Sequence, residues 1–267
     1  MGSLVQGSDG NLYGMTSAGG TGQNGTIFKI SLTGAFTVLR HLVLSTDGGA
    51  PEGNLVQGTD GNFYGMTNSS ARIFQITPTG IFTVLRTLVI GTDGSNPVGS
   101  LVLSSDGNFY GMCSSGGLYL NGTIFRISSA GTFKVLKHLN TLRDGKTPKG
   151  NLLIGTDGNF YGMTSSGGTY NAGTLFKITA TGTYTVLRHF NLTTDGGNPY
   201  GSLIIAPVNN LIANAQNLIT NEDTKKAFTL TGSGGSPFTY NIIATPKHGK
   251  ITGNGANKSF APTANYY

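Results

Sequence analysis

One motif recurs four times along this 267-residue chain and constrains its fold more than any other feature. The motif is Asp-Gly-Asn, then Leu or Phe, then Tyr-Gly-Met. Its copies are 51, 46 and 51 residues apart, and a period of about 40 to 50 residues is typical of propellers and other repeat arrays. The short spacing arises because residues 68–72 replace a longer glycine-rich loop. The copies begin at Asp9, Asp60, Asp106 and Asp157.

Turn residues divide each copy into four short segments. In the first copy these are residues 4–6, 12–16, 26–30 and 36–42. Their β-branched and aromatic content predicts strands. The Asp-Gly pairs between them supply the positive φ of tight hairpins, so adjacent strands should pair antiparallel. The 43 glycines and the 10% of charged residues fit such an architecture.

The third and fourth segments are apolar on both faces, as at Ile27, Phe28 and Ile30. Both faces are covered when a sheet packs between two similar sheets, as a blade does. The predicted fold class is therefore all-β, a β-propeller-like array of four four-stranded antiparallel blades. It forms either a closed small ring or an open arc of a larger one. The repeats lie at about 2–52, 53–98, 99–149 and 150–200, and the first strand of a fifth lies at 201–207 within a predicted domain of residues 1–207.

The unit resembles the Gloeobacter–Verrucomicrobia repeat, a bacterial family of little-known function that is usually found in large exported proteins. The resemblance rests on residues 157–168, 173–178, 184–190 and 195–199, and it covers about residues 1–205. It implies an extracellular or cell-surface location. The order of strands and turns is also similar to that of NHL and virginiamycin-lyase propellers, from which no catalytic residue is carried over. Copy two departs from the others by having Thr87 in place of His.

Residues 208–267 resemble the cadherin-like, immunoglobulin-like domains of large bacterial surface proteins. The resemblance implies a partial Ig-like β-sandwich with about four strands. An acidic stretch usually follows the Gly-Ser of that family, but residues 232–237 contain no acid, so calcium binding by this domain is left open. Because a domain without its last strands exposes an unpaired edge, we expect the chain to continue in the natural protein. Since Gly2-Ser3-Leu4-Val5 matches Gly53-Asn54-Leu55-Val56, the chain opens at a repeat boundary, and we expect it to be a fragment whose export signal lies upstream.

Composition excludes several classes of function. The formal charge of +6 is spread along the chain and no nucleic-acid motif occurs, so nucleic-acid binding is not expected. No apolar stretch is long enough for a membrane span. Cys113 stands where other copies have Thr and is predicted to be a packed thiol.

Two long connections of each unit should leave from the same rim, where a ligand face is expected. Exposed Tyr119 and Tyr170 in these loops could stack on sugar rings. One aspartate recurs in each fourth-to-first connection and could accept sugar hydroxyls, although capping of turns beside Gly and Pro is the favoured role. One acid per segment is too few for a calcium loop, so no metal site is predicted. The four aspartates are Asp47, Asp93, Asp144 and Asp195.

No catalytic residue or cofactor is predicted. His41, His138 and His189 share one repeat position but belong to different blades, so they are not spaced as metal ligands. They are predicted to make the outermost strand polar and basic, which discourages edge-to-edge pairing. Glu52 is the one glutamate of the repeats, and no triad spacing occurs.

The main functional hypothesis is a non-enzymatic module of an exported or cell-surface bacterial protein, serving as a scaffold or as an adhesion and glycan-contact surface. Its expected partners are a glycan or another extracellular molecule, with self-association through open edges. The alternative is a propeller enzyme, a lyase or hydrolase of polysaccharide or of a cyclic ester, which requires titratable side chains gathered near the axis. A purely structural spacer is the third hypothesis.

Overall fold

The protein divides into two compact parts, Met1–Ile205 and Ala206–Tyr267. Apart from one four-residue helix, α1 (Leu44–Asp47), the regular elements are strands, so the predicted all-β class is confirmed. No helix among the described residues is long and apolar enough to cross a membrane. The computed structural model describes residues 2–205, 212–213, 224–233, 246–254 and 256–263.

Blade 1 is a four-stranded antiparallel sheet whose strands lie side by side in chain order, as predicted. Its first hairpin turns at Gly10, where φ is +82°. The Asp9 carboxylate stabilises this turn because it accepts hydrogen bonds from the Asn11 backbone N–H at 3.1 Å and from the Tyr13 hydroxyl at 2.8 Å. The strands are β1 (Val5–Gln6), β2 (Leu12–Thr16), β3 (Thr26–Ile30) and β4 (Phe36–His41).

Blades 2, 3 and 4 repeat this sheet. Helix α1 and β5 lead from blade 1 into blade 2, whose inner edge is formed by two short strands, β5 and β6. In blades 3 and 4 one long strand with a bulge takes their place. Blade 2 contains β5 (Gly49–Pro51), β6 (Val56–Gln57), β7 (Phe63–Ser69), β8 (Arg72–Ile76) and β9 (Phe82–Thr87). Blade 3 contains β10 (Ser95–Leu103), β11 (Phe109–Ser115), β12 (Thr123–Ile127) and β13 (Phe133–His138), and blade 4 contains β14 (Lys146–Ile154), β15 (Phe160–Ser166), β16 (Thr174–Ile178) and β17 (Tyr184–His189).

Three hydrophobic clusters join consecutive blades. At the centre of each, the tyrosine of the repeated motif stacks on the phenylalanine that begins the second strand of the next blade. These contacts bury both faces of the inner sheets, as the apolar pattern predicts. The ring centroids are 3.9 Å apart for Tyr13 and Phe63, 4.1 Å for Tyr64 and Phe109, and 3.9 Å for Tyr110 and Phe160.

The array is an open arc. Among the described residues, no hydrophobic cluster joins blade 4 to blade 1. Tyr161 of blade 4 stays partly exposed, although Tyr110 at the same position of blade 3 is fully buried. Phe36 of blade 1 is 57% exposed, whereas Phe82 at the same position of blade 2 packs against the core. Of the two predicted arrangements, the structure has the open one.

The backbones of consecutive blades approach closely at the bulge in the middle of the innermost strands of blades 3 and 4, and at the matching position between β5 and β6 in blade 2. A Cβ atom on Gly53 would lie 2.1 Å from the carbonyl oxygen of Gly99, and one on Gly99 would lie 2.2 Å from that of Gly150. The same contact recurs at 2.3 Å between Gly150 and Gly201. Only glycine fits this approach.

In the second part of the chain, β18 (Ile212–Ala213) pairs with β20 (Gly232–Ser233). The strands β19 (Lys226–Thr229), β22 (Asn257–Pro262) and β21 (Gly249–Thr252) form an antiparallel sheet in that order. Most of residues 232–237, the segment that lacks an acid, lies outside the described residues. The immunoglobulin-like assignment and the predicted domain of residues 208–267 therefore stay predictions.

Replacing Gly99 by alanine tests the close approach of the blades. Gly99→Ala should lower the free energy of unfolding by about 3 kcal/mol, since it adds overpacking of about 2 kcal/mol to the strain of a positive φ, about 1 kcal/mol. Gly107→Ala is the matched control because Gly107 also has a positive φ, +76°, but has no atom within 4 Å of the added Cβ. It should cost about 1 kcal/mol. Urea unfolding measures both, and equal costs would contradict the close approach.

Candidate functional site

The loops between second and third strands are hydrogen-bonded to the connections between blades. The backbone N–H of Gly117 donates to the carbonyl of Ile90 at 2.7 Å, and that of Gly168 donates to the carbonyl of Thr141 at the same distance. The long loops therefore meet at one rim of the arc. We call this surface the loop rim.

The four predicted aspartates lie on the loop rim in one repeated ion pair. Each carboxylate binds the cation seven residues earlier and also accepts a backbone N–H four residues earlier, as Asp47 does from Val43 at 3.1 Å. Asp47 is 2% exposed and Asp93 is 4% exposed, so the carboxylates of these two residues are buried turn caps. The pairs are Arg40–Asp47 at 2.8 Å, Arg86–Asp93 at 2.7 Å, Lys137–Asp144 at 2.8 Å and Arg188–Asp195 at 2.6 Å.

Each of the first three cations also covers an aromatic ring of the next blade. The distance to the ring centroid is 5.3 Å from Arg40 to Phe82 and 5.0 Å from Arg86 to Phe133. The ion pair therefore ties the connection between blades to the packed interface. This role was not predicted from the sequence, although its signal is present: in every copy an Arg or Lys is followed seven residues later by Asp.

The environment of Asp47 lowers its pKa. Burial acts most strongly and raises the pKa, but hydrogen bonds from Arg40, the Val43 N–H and Thr46 together outweigh it, so the net shift is below the ordinary 3.8. The folded state then binds protons less readily than the unfolded chain. The contribution of the ionised Asp47 carboxylate to the free energy of unfolding is fully present above pH 3.8, and it is lost as the pH falls through the lower folded pKa.

Asp47→Asn should lower the free energy of unfolding by about 2 kcal/mol at neutral pH because Arg40 loses its charged acceptor. The difference from wild type should vanish in acid, where the native carboxylate is protonated too. Asp195→Asn is the matched control: its partner Arg188 is 57% exposed, so the loss should be much smaller than that of Asp47→Asn. Urea titrations at several pH values measure both, and a difference that persists unchanged in acid would contradict the assignment.

A cavity of about 500 Å³ opens on the loop rim of blade 3. We call it the outer cavity. Two predicted site residues, Tyr119 and Asp144, line it together with His138, Arg143 and Lys137. Tyr119 is 55% exposed, while Asp144 is buried in its ion pair with Lys137. Arg143 is exposed and forms none of the ion pairs found among the described residues.

His138 holds the loop that forms one wall of the outer cavity. Its Nδ1 accepts a hydrogen bond from the Leu118 backbone N–H at 3.2 Å. Desolvation is the main cause of a pKa below the usual 6.5. A neutral imidazole that accepts at Nδ1 carries its proton on Nε2, so it offers the cavity an N–H donor. His41 and His189 make the same bond to Thr21 and Thr169 in their own blades.

The histidines were predicted to protect a polar edge, and the structure shows that they also order loops. Protonated His138 cannot accept the Leu118 N–H, and its folded pKa is lowered, so stability should fall from pH 6.5 down to the folded pKa and then level off. Hydrogen exchange at the Leu118 amide should accelerate over that interval. His138→Thr, which copies the residue of blade 2, should remove the dependence. An amide protected equally on both sides of the interval would contradict it.

A second cavity of about 350 Å³ lies where the first strands converge, at the axis of the arc. Here the backbone N–H of each blade donates to the Ser or Asn side chain of the next: Asn54 to Ser100 at 2.7 Å, Ser100 to Asn151 at 2.7 Å, and Asn151 to Ser202 at 2.9 Å. We call this series of hydrogen bonds the axial ladder. It was not predicted from the sequence, although a Gly-Ser or Gly-Asn pair opens every unit. The lining of this axial cavity is mainly Gly, Ser and Asn, with Glu52 and Tyr200 as its titratable groups, so the cluster of titratable side chains that the enzyme hypothesis expected near the axis is not found in it.

The six predicted site residues do not converge on one place. Tyr170 and Asp195 lie on blade 4, Asp47 and Asp93 follow blades 1 and 2, and Tyr119 and Asp144 share the outer cavity. Burial raises the pKa of Cys113 to about 12, so the thiol stays protonated. No group of three His, Cys, Asp or Glu side chains that could hold a metal occurs in the described part of the chain.

Comparison with protein families identifies the repeat. The family model described as the Gloeobacter/Verrucomicrobia repeat matches residues 1–228. The chain belongs to this family, as the motif predicted. No curated protein matches it.

Solved structures with the same fold include three lyases. A catalytically inactive histidine-to-alanine variant of virginiamycin B lyase from Staphylococcus aureus, with quinupristin, has 21% identity and a TM-score of 0.53, and the match covers 74% of this chain and 57% of that one. A streptogramin B lyase has 22% identity and a TM-score of 0.51, with 74% and 56% covered. Selenomethionine-substituted S. aureus virginiamycin B lyase has 18% identity and a TM-score of 0.53, with 97% and 79% covered. The chain thus spans little more than half the length of the first two lyases.

These likenesses show the propeller-like fold. They also overturn the main functional hypothesis, a non-enzymatic scaffold or adhesion surface, because the similar structures are enzymes and favour the alternative that the sequence left open. The error has a physical source: the sequence offered no triad or metal motif, and the fold places polar groups together in ways that motif spacing does not show.

Proposed function

We propose that this member of the Gloeobacter/Verrucomicrobia repeat family is part of a propeller enzyme, a lyase or hydrolase of a cyclic ester or of a polysaccharide. The fold shared with the lyase structures supports the class of reaction, and the outer cavity supports the site. The observation that carries the proposal is that His138, whose Nδ1 is bonded to the Leu118 N–H, shares a cavity with Arg143 and Tyr119.

In hydrolysis water adds to the carbonyl carbon, the acyl–oxygen bond breaks, a proton of the water passes to solvent, and negative charge builds on the carbonyl oxygen and on the departing alkoxy oxygen. In elimination a C–H bond and the alkyl–oxygen bond break, a C=C bond forms, the proton passes to solvent, and negative charge builds on the two oxygens of the departing carboxylate. The Arg143 guanidinium and the Nε2–H of His138 are the donors that stabilise such charge. The Tyr119 hydroxyl can donate a proton to the departing oxygen. Asp144 is occupied by Lys137 and the Asn140 N–H, so its role is to fix the loop and not to accept the substrate proton.

The same proposal extends to location and partners. An exported or cell-surface enzyme of this kind acts on extracellular substrates, and a glycan or another extracellular ester is its partner. The C-terminal residues 208–267 are then a cadherin-like, immunoglobulin-like domain appended to the enzyme. The sheet of Lys226–Thr229, Asn257–Pro262 and Gly249–Thr252 is consistent with such an all-β domain. The family resemblance supports the location.

Incubation with quinupristin, with simple cyclic esters and with an acidic polysaccharide tests the proposal. Mass spectrometry separates the two reactions on a cyclic ester, since elimination opens the ring without a change in mass and hydrolysis adds one water. Arg143→Ala should lower kcat/KM about 100-fold, the usual effect of removing one oxyanion donor. His138→Thr should lower it too.

His189→Thr is the matched control. His189 makes the same loop bond as His138, but it lies on blade 4, outside the outer cavity. It should therefore keep wild-type activity. Failure of the folded chain to turn over any of these substrates, or equal losses in His138→Thr and His189→Thr, would contradict the proposed site.

A further inference from the structure

The open arc exposes two apolar faces that are covered elsewhere in the array. We call the free side of blade 1 the head face and the free side of blade 4 the tail face. Leu4 and Phe36 on the head face are 50% and 57% exposed, and Leu187 on the tail face is 47% exposed. The head face consists of Leu4, Leu12, Phe28, Ile30 and Phe36, and the tail face consists of Tyr161, Met163, Leu175, Leu187 and Arg188.

These faces are the two halves of the interface that the protein forms three times. The residues of blade 2 that match the head face belong to the core shared with blade 1. The residues of blade 3 that match the apolar part of the tail face pack in the core shared with blade 4. A tail face on a head face would therefore repeat established contacts. It would place Arg188 over Phe36, as Arg40 lies over Phe82 at 5.3 Å.

The segment that follows blade 4 already makes two of the contacts that join consecutive blades. The Asn151 N–H donates to Ser202 at 2.9 Å, and the Lys149 ammonium lies 5.1 Å from the ring centroid of Tyr200. Residues 201–205 thus lie where the first strand of a next blade belongs. Ile204 is 85% exposed and Ile205 49% exposed because no second strand covers them among the described residues.

We propose that the tail of one copy binds the head of a second copy, whose β2, β3 and β4 complete a blade around residues 201–205 of the first. The segment Gly2-Ser3-Leu4-Val5 of the second copy is displaced, and the equivalent segment Gly201-Ser202-Leu203-Ile204 of the first copy takes its place, with Leu203 in the position of Leu4. The strand β1 pairs through only Val5 and Gln6, so little pairing is lost. This inference is independent of the proposed enzymatic site.

The association is heterologous because head and tail are different surfaces. Every bound pair keeps one free head and one free tail, so copies add until the arc closes or continue as a chain. This property separates the proposal from a two-fold dimer, in which one surface would bind its own copy.

Light scattering over a range of concentrations tests the proposal with two blocked variants of the full chain. Phe36→Asp blocks the head and Leu187→Asp blocks the tail. Each variant alone should be a monomer, and their mixture should form a dimer and nothing larger, through the intact tail of one and the intact head of the other. Wild type should grow beyond the dimer as concentration rises.

Leu32→Asp is the control, since Leu32 is 74% exposed in the turn next to Phe36 but is not part of the head face. It should associate as wild type does. Thermal unfolding confirms that each variant is folded. Monomeric wild type at every concentration would overturn the proposal, as would a tail-blocked variant that still dimerises alone, which would indicate a two-fold dimer through the heads.

Discussion

The architecture depends on the stacking of one tyrosine on the phenylalanine of the next blade. Three such pairs, with ring centroids 3.9 to 4.1 Å apart, lie at the centres of the three cores. The hydroxyl of each tyrosine reaches back to the aspartate of its own hairpin, as Tyr64 does to Asp60 at 2.7 Å. One residue therefore fixes a turn and an interface together, which is why the motif recurs with so little change.

Two polar devices hold the blades in register around these stacks. At the axis, a ladder of Ser and Asn side chains accepts the backbone N–H of the preceding blade. At the loop rim, a buried aspartate fixes a cation over the next blade's ring. The Lys137–Asp144 ion pair holds one wall of the outer cavity in place, because both residues line that cavity. Structure and candidate site are thus built from the same repeated contacts.

Much of the fold could be predicted from the sequence, because Asp-Gly turns and apolar segments act locally. The open arc could not be predicted, since every copy of the motif contains the same tyrosine. This tyrosine is buried in blade 3, as Tyr110, because another blade follows, and it is partly exposed in blade 4, as Tyr161. Asp47 and Asp144 were recognised as turn residues, but their cations seven residues away were missed because that pairing crosses from a strand to a loop. The outer cavity joins residues of a loop, a strand and a connection, which no linear spacing reveals. Linear spacing therefore gave no support to the enzyme alternative, which the similar solved structures favour over the non-enzymatic hypothesis.

The most direct test of the architecture compares one substitution at two repeat positions, at a concentration where the chain is monomeric. Tyr110→Leu removes a buried, stacked ring and should lower the free energy of unfolding by about 3 kcal/mol. Tyr161→Leu removes the equivalent ring at the free tail and should cost much less than Tyr110→Leu. Equal costs at the two positions would mean that blade 4 is covered as blade 3 is, and would contradict the open arc.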